Sequence, residues 1–564
     1  AGAGGRGPMQ GKGGAMGPRL GMRGMRALVA AGCFGLGVAA GGSVAAQTDT
    51  AAQIAADAEA RARQIEAQSQ PRQTGPGVLV DAMGRAELPP PGGPTVLVRS
   101  VVFAPSSAFL STAELDAIRA RYVGRRLDFR GISMLLREVN DLYAEKGVVT
   151  AAAVLQPQDL DSGTLTVTLV EGQVGVVGVV GEAQTRPDYV FNRVRFARGT
   201  TVDVPTAAED IAFFNRTNRA QVRLLLQPGA AFGLTDLLFG ITEPPPHQLQ
   251  VIFDNNGVAS TGRFRGSVIY RRYGLIGRDD TFLAYLEASQ GSVAATGRYD
   301  FPVTTSGTRL AFTFTSSDIR VVSGPTRPLD IEGWSGSGTV AVTQPFIAND
   351  RWLVQGTLSV FRGHSASFSA GVPVVDAVTL KQSAGLSVAY TGERGSLSTQ
   401  VQAIGARVDD RIAATRTKYK IAAGSYDASY RFDNGILFVG RGAWQYSRAD
   451  LLPGGLLFQI GGPTSVRGYP SDGVAGDRGY YTNFELHRRF ENSPRPASGF
   501  VFLDFGEVYS TFPRVTTMAS VGLGAAYDLA PNARLEVSAA VPVRRAVSNQ
   551  SRATLSVTLT VSQF

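Results

Sequence analysis

The sequence predicts a transmembrane β-barrel of about 16 antiparallel strands, preceded by two small α+β domains and an N-terminal helix. Three observations carry that expectation. Of 564 residues, 44% are hydrophobic and only 18% charged, and 67 are glycine; a soluble α/β enzyme carries more charge and fewer glycines. From His247 onward, apolar and polar residues alternate in short runs separated by Gly, Asp and Asn turns. Between residues 95 and 246, one order of elements, β-α-α-β-β, occurs twice.

The N-terminus reads as a targeting segment. Met22-Arg23-Gly24-Met25-Arg26 is basic, Ala27 to Ala40 is almost wholly apolar or small, and Ser43-Val44-Ala45-Ala46 resembles a cleavage site. This is the three-part pattern of a secretory signal peptide over residues 22–46, too short to span a bilayer stably. Residues 1–21 form an extension or a misassigned start. Cys33, the single cysteine, lies in the signal core, so no intramolecular disulfide or thiolate zinc site is available. The three histidines, His247, His364 and His487, lack metal-ligand spacing. No metal, cofactor or catalytic cluster is expected, and a net charge of +9 without a basic block argues against nucleic-acid binding. The mature chain has no apolar stretch long enough for a membrane helix, so a membrane protein here must be a barrel.

Residues 47–71 predict a helix. Asp49 to Gln68 holds few breakers, Ile54, Ala58, Ala62 and Ile65 recur at helical spacing, and Pro71 ends the run. Residues 72–94, with Pro89-Pro90-Pro91, read as an extended linker. The first repeated unit, 95–172, opens with a strand from Val96 to Phe103. Ser111 and Glu114 then form a capping box, each side chain satisfying a free amide at a helix start. A second helix runs from about Gly131 to Lys146, with Ile132, Leu135, Val139 and Leu142 on one face and Gly147 as its stop. Strands at Val148–Leu155 and Thr164–Val170 complete the unit. The second unit, 173–246, has a strand at Val174–Val180, helices from Pro187 to Phe196 and Pro205 to Arg216, and strands at Val222–Leu226 and Leu234–Ile241. Each unit is just large enough to close helices over one sheet face.

Residues 247–564 form the barrel. Leu310, Phe312 and Phe314 alternate with threonines; Trp352, Val354, Leu358 and Val360 alternate with Gln355, Thr357 and Ser359. Similar rows occur at Val521–Leu529, Leu535–Val541 and Leu555–Val561. Apolar-out, polar-in alternation is what a membrane barrel with a wet interior requires. A propeller would repeat aromatic blade motifs, and none is found. The terminal Phe564 is off the parity of the last apolar row, which would next reach Gln563.

Within the barrel, Gly461-Gly462-Pro463-Thr464-Ser465-Val466-Arg467-Gly468-Tyr469 contains Val-Arg-Gly-Tyr. This resembles the loop motif of the two-partner secretion outer-membrane transporters (TpsB, the hemolysin secretion/activation family). Phe502-Leu503-Asp504-Phe505-Gly506 resembles that family's second barrel motif. The two repeated units resemble its polypeptide-transport-associated (POTRA) domains, and the N-terminal helix resembles its pore plug. The resemblance covers about residues 49–564. It implies a cell outer-membrane transporter with periplasmic POTRA domains that capture a TpsA-like exoprotein and secrete it through the pore, set in outer-membrane lipid and inserted by the barrel-assembly machinery.

Parity gives these motifs a physical reading. Phe502, Asp504 and Gly506 share the lumen face of their strand, while Val501, Leu503 and Phe505 take the lipid face. Arg467, on a loop folded into the lumen, needs a carboxylate partner. Asp504 offers a bidentate site, and Glu485, on the lumen side with Asn483 and His487, is the competing partner. Gly468 permits a tight turn and Tyr469 packs on the inner wall. The pairs Asp279-Asp280 and Asp409-Asp410 read as turn residues with no base or metal partner. Arg271-Arg272, Arg488-Arg489 and Arg544-Arg545 read as rim or loop charges. The rival functions are a barrel-assembly insertase of the same superfamily, which commonly carries more POTRA units, and a passive porin or receptor, which the paired domains disfavour. An enzyme lacks a convergent nucleophile, base or metal cluster.

Overall fold

The computed structural model describes residues 50–68, 78–80, 88–510, 514–547 and 550–563. The extension, the signal segment with Cys33, most of the linker and Phe564 lie outside the described residues. Among those described, no helix is long and apolar enough to cross a membrane.

The first unit comprises β2 (Val96–Leu97), β3 (Ser100–Ala104), α2 (Thr112–Tyr122), β4 (Arg126–Leu127), α3 (Phe129–Glu145), β5 (Ala151–Val154) and β6 (Thr164–Glu171). β6 lies between β3, which it pairs in parallel, and β5, which runs antiparallel. The strand expected over Val96–Phe103 is divided, because the amides of Arg99 and Ser100 both turn onto the Gly163 carbonyl, at 2.8 and 3.2 Å. β2 pairs instead with β4. The capping box is present at α2: Ser111 Oγ accepts the Glu114 amide at 3.3 Å, and Glu114 Oε2 accepts the Ser111 amide at 2.8 Å. Lys146 Nζ, 2.8 Å from the same oxygen, and the Ser111 bonds hold the Glu114 carboxyl down to about 2. On α3, Ile132, Leu135 and Val139 are buried as expected, but Tyr143 rather than Leu142 fills the fourth core position. The reason is chemical: its hydroxyl donates to Glu171 at 2.8 Å, tying the helix to β6. Burial pushes the Tyr143 phenol up.

The second unit comprises β7 (Gln173–Val180), α4 (Pro187–Phe191), α5 (Val204–Thr217), β8 (Gln221–Pro228) and β9 (Leu234–Thr242). Its sheet has a fourth strand that the sequence did not announce. Part of the expected linker, β1 (Val78–Val80), pairs in parallel with β8, giving the order β1-β8-β9-β7. α4 is shorter than expected. Arg193, just past its end, stacks 3.6 Å over the Tyr189 ring and bonds the Tyr189 carbonyl at 2.9 Å, which closes the helix.

Sixteen antiparallel strands close the barrel, from His247–Asp254 to Thr554–Gln563. The seam between first and last strands spans Leu249↔Gln563 to Asp254↔Thr558. Asn255 extends it by acting as a backbone mimic: its amide nitrogen donates to the Leu555 carbonyl at 2.8 Å and its oxygen accepts the Val557 amide at 2.9 Å. The expected apolar rows face outward, with Phe314, Leu358, Leu523 and Leu555 all exposed.

The second unit is locked to the periplasmic rim of the barrel. Asp279, one of the paired turn acids, is the centre of that lock. It is fully buried at φ 58°, accepts the amides of Arg219 and Ala220 at 2.9 and 2.8 Å, takes the Tyr273 hydroxyl at 2.8 Å and pairs with Arg309 at 2.9 Å. Arg309 also bonds Asp300. Asp280 is likewise buried, accepting the Tyr299 hydroxyl at 3.0 Å, and Asp409 pairs with Arg416 at 2.6 Å. Arg271, near the same rim as expected, is buried on the inner face and donates to Gln248 at 2.5 Å. Removing one partner of a buried ion pair costs about 3–5 kcal/mol because the other is left unpaired. Asp279→Ala is therefore expected to release the second unit, seen as a broadened spin-label distance distribution between α5 and the barrel rim. An unchanged distribution would show that other rim contacts suffice.

Candidate functional site

The site is built by the loop of residues 448–477, between strands Leu437–Ser447 and Arg478–Arg489. Instead of projecting outward, it folds into the lumen. Its short antiparallel pair, Phe458–Ile460 with Val474–Gly476, brings Ile460, Val466 and Tyr469 into one cluster with Val508 and Met518. Ser465 Oγ accepts the Gly461 amide at 2.7 Å, and the wall residue Asn483 donates to the Ser465 carbonyl. These bonds shape the tip before any charge is considered.

Arg467 sits at that tip. Its Nε and Nη2 reach Asp504 Oδ2 and Oδ1 at 2.8 and 2.7 Å, and its own amide donates to Oδ2 at 3.0 Å. The third nitrogen, Nη1, lies 2.7 Å from Glu485 Oε1. The two carboxylates, expected to compete, are engaged together on different edges of the guanidinium. Phe502 supports the cation from below, its ring centroid 3.6 Å from Cζ. A half-buried arginine held by two acids and an aromatic face uses the planar fork in a way that lysine could not.

The remaining motif residues set the approach. Gly468 has φ 91°, a turn that a side chain would strain. Gly506 leaves room for the loop: a Cβ there would lie 2.9 Å from the Val466 side chain. The Tyr469 hydroxyl accepts the Ala519 amide at 3.1 Å and lies 2.8 Å from the Arg544 carbonyl, so it fastens the loop to a further wall strand and to the loop that follows Pro542. His487, expected on the same face as Glu485, lies with its Nε2 2.7 Å from it. Sequence reasoning missed Arg441, at 3.4 Å, because only strand register, which pairs it with Asn483, brings it beside Glu485.

Close to the loop, helix α1 (Thr50–Gln68) occupies the lumen. Ala51, Ile54 and Ala58 pack on the inward residues Ile269, Leu283, Tyr285, Ala294 and Ile319. Ser317 Oγ donates to the Ala51 carbonyl at 2.7 Å. Arg61 pairs with Glu287 at 2.6 Å, and Glu287 in turn takes the Tyr285 hydroxyl at 2.5 Å. Ile54 and Ala58 of the expected stripe are thus in contact; the side chains of Ala62 and Ile65 lie outside the described residues. Arg61 and Glu287 went unnoticed in the sequence, although Glu287 shares parity with the inward Leu283 and Tyr285.

A closed barrel, two β-α-α-β-β units in series, the second of them at its periplasmic rim, and an arginine loop clamped inside define an outer-membrane polypeptide transporter. The sequence matches the family described as "Haemolysin secretion/activation protein ShlB/FhaC/HecB" over residues 233–527, and "POTRA domain, ShlB-type" over residues 96–172. The chain belongs to the haemolysin secretion/activation family. It is 24% identical to the outer membrane transporter CdiB of Dickeya dadantii over 466 residues, covering 77% of this chain and 80% of that one. It is 22% identical to the heme/hemopexin transporter protein HuxB of Haemophilus influenzae over 471 residues, covering 78% and 82%. In fold it resembles CdiB from Escherichia coli (TM-score 0.62, 18% identity, 91% of this chain and 98% of that one). It also resembles BamA from Haemophilus ducreyi lacking POTRA domains 1–3 (TM-score 0.53, 12% identity, 83% and 100%). The protein is a two-partner secretion transporter of the outer membrane, with its POTRA domains in the periplasm.

Proposed function

We propose that the POTRA domains capture a partly unfolded TpsA-like exoprotein, that α1 leaves the lumen, and that the exoprotein then crosses the barrel past the Arg467 loop. A sheet edge can accept an extended segment through backbone hydrogen bonds with little demand on its sequence. The pairing of β1 with β8 supports this use of the second domain, because a strand from the chain's own linker already sits on that edge. An incoming strand would displace it, and β1 is joined through the linker to α1. The sequence offers no Gly-x-x-x-x-Gly-Lys phosphate loop, so the drive comes from binding and from folding of the exoprotein outside the cell. Insertion of the barrel itself falls to the barrel-assembly machinery.

The observation that carries the reading is the seat of α1: an apolar contact and the Arg61–Glu287 ion pair, inside a closed barrel, next to the clamped loop. A helix held by side chains, rather than paired into the wall as a strand, can close the pore and still be displaced. The arrangement is tested by co-expressing the chain with its exoprotein and assaying the culture medium. Export is expected only when the chain is present. Export without it, together with failure of other barrels to insert, would assign the chain to barrel assembly instead.

A further inference from the structure

We infer that the outer ends of barrel strands seven, nine and ten form a binding site for the phosphate groups of the outer-leaflet glycolipid. The strands concerned are Trp352–Ser369, Gly395–Asp410 and Thr415–Arg431, with Val372–Thr391 between the first two. Register aligns Arg362, Leu380, Arg407 and Lys418 in a single row across them. Lys420 and Arg416 flank Lys418 on the same face. Parity points this row outward: it continues the exposed Leu358 and Val360 on one strand, Leu397 and Val401 on another, and Tyr430 on the last. The opposite face of the same segments is buried in the lumen at Ala406, Val408 and Ile421.

An outward cationic row on a membrane barrel needs an explanation, since charges on the lipid face are destabilising except near the interfaces. Its height supplies one. Lys420 lies ten residues along the strand from Tyr430, which stands near the periplasmic end. At roughly 3.3 Å per residue and a tilt of about 40°, this separation is about 25 Å, the height of the apolar band. The cations therefore stand where outer-leaflet headgroups begin.

The local charge balance points the same way. Arg407 and Lys418 are directly opposed across two strands, an arrangement that repels unless an anion sits between them. Five cations on this face, Arg362, Arg407, Arg416, Lys418 and Lys420, meet one carboxylate, Asp409, which is taken by Arg416 at 2.6 Å and approached by Arg407 at 3.7 Å. The other acids nearby are occupied: Asp376 holds His364 and Arg411, and Asp410 accepts the Ile412 and Ala413 amides of its own turn. Arg362, Lys418 and Lys420 have no ion-pair partner among the described residues. A phosphomonoester on a sugar headgroup matches this site in charge, in height and in its need for several donors.

Native mass spectrometry of the full chain in detergent tests the assignment, using a diphosphorylated glucosamine-disaccharide lipid as the probe. The wild type is expected to bind it, and the combined variant Arg362→Gln, Arg407→Gln, Lys418→Gln, Lys420→Gln to bind on the order of a hundredfold more weakly. The pair Lys418→Gln, Lys420→Gln, both solvent-exposed and unpaired, gives a smaller loss in a barrel whose packing is untouched. Lys381→Gln, facing the lumen at the same level, is expected to change nothing. The dephosphorylated lipid should bind weakly, and millimolar inorganic phosphate should not displace the glycolipid. Equal binding by wild type and combined variant, or by phosphorylated and dephosphorylated lipid, would overturn the proposal. So would full displacement by inorganic phosphate, which would make this a free-anion site. Unchanged lipid binding with impaired export in the combined variant would give the patch to the exported polypeptide.

Discussion

Arg467→Ala is expected to reduce export of the exoprotein by roughly tenfold or more while leaving the barrel in the outer membrane. The cause is electrostatic. Asp504 is fully buried and Glu485 nearly so, and Arg467 is the cation they share. Truncation leaves two buried carboxylates facing each other across the vacated position, and losing one member of such a group costs about 3–5 kcal/mol. The loop tip would then keep only the packing of Val466 and Tyr469, the Asn483 bond and the backbone amide of residue 467 on Asp504. Because the sixteen strands pair through their backbones, the barrel itself should persist. Arg467→Lys should recover little, since an ammonium cannot span both carboxylates as the planar fork does. Export is read from exoprotein in the medium, and barrel integrity from heat-modifiable migration on gels. Normal export by the alanine variant would refute a role for the clamp in secretion.

Deleting residues 49–70 is expected to raise single-channel conductance severalfold in planar bilayers. The deletion removes α1, and with it the packing of Ala51, Ile54 and Ala58 on the inner wall and the Arg61–Glu287 pair. Arg61→Ala alone should have a graded effect, with more frequent open events at unchanged open conductance, because the apolar seat remains. Glu287 would not be left unpaired, as Arg265 stands 3.5 Å away. Unchanged conductance on deletion would show that the loop, not the helix, closes the pore.

Much of this was legible in the sequence, for definable reasons. Alternation with a period of two fixes which face a side chain takes, so Asp504 and Glu485 fall on the lumen side without any coordinates; Arg467 lies on a loop, where no alternation reports its direction. Parity gives the face but not the register. It could not say whether Asp504 or Glu485 holds the arginine, and the structure uses both because their strands are adjacent, pairing Asn483 with Asp504 and Glu485 with Phe502. Contacts between distant segments were the least legible. Asp279 looked like one more turn acid until Arg219 of the second unit and Arg309 of the barrel converged on it. β1 looked like linker because three residues, Val78–Val80, carry no pattern of their own; they become a strand only where β8 offers an open edge. The exchange of Leu142 for Tyr143 has a different origin. The apolar stripe allows either residue, and the Glu171 bond decides.

The central claim is that the exoprotein passes through this barrel, and two neighbouring residues on one strand test it directly. Thr315 faces the lumen and is buried; Phe314 faces lipid and is exposed. A photo-crosslinking amino acid is placed at each position in turn while an exoprotein fused to a tightly folded domain is arrested in transit. Crosslinks to the arrested chain are expected from position 315 and none from position 314. Crosslinks from 314, or from neither, would contradict passage through the lumen.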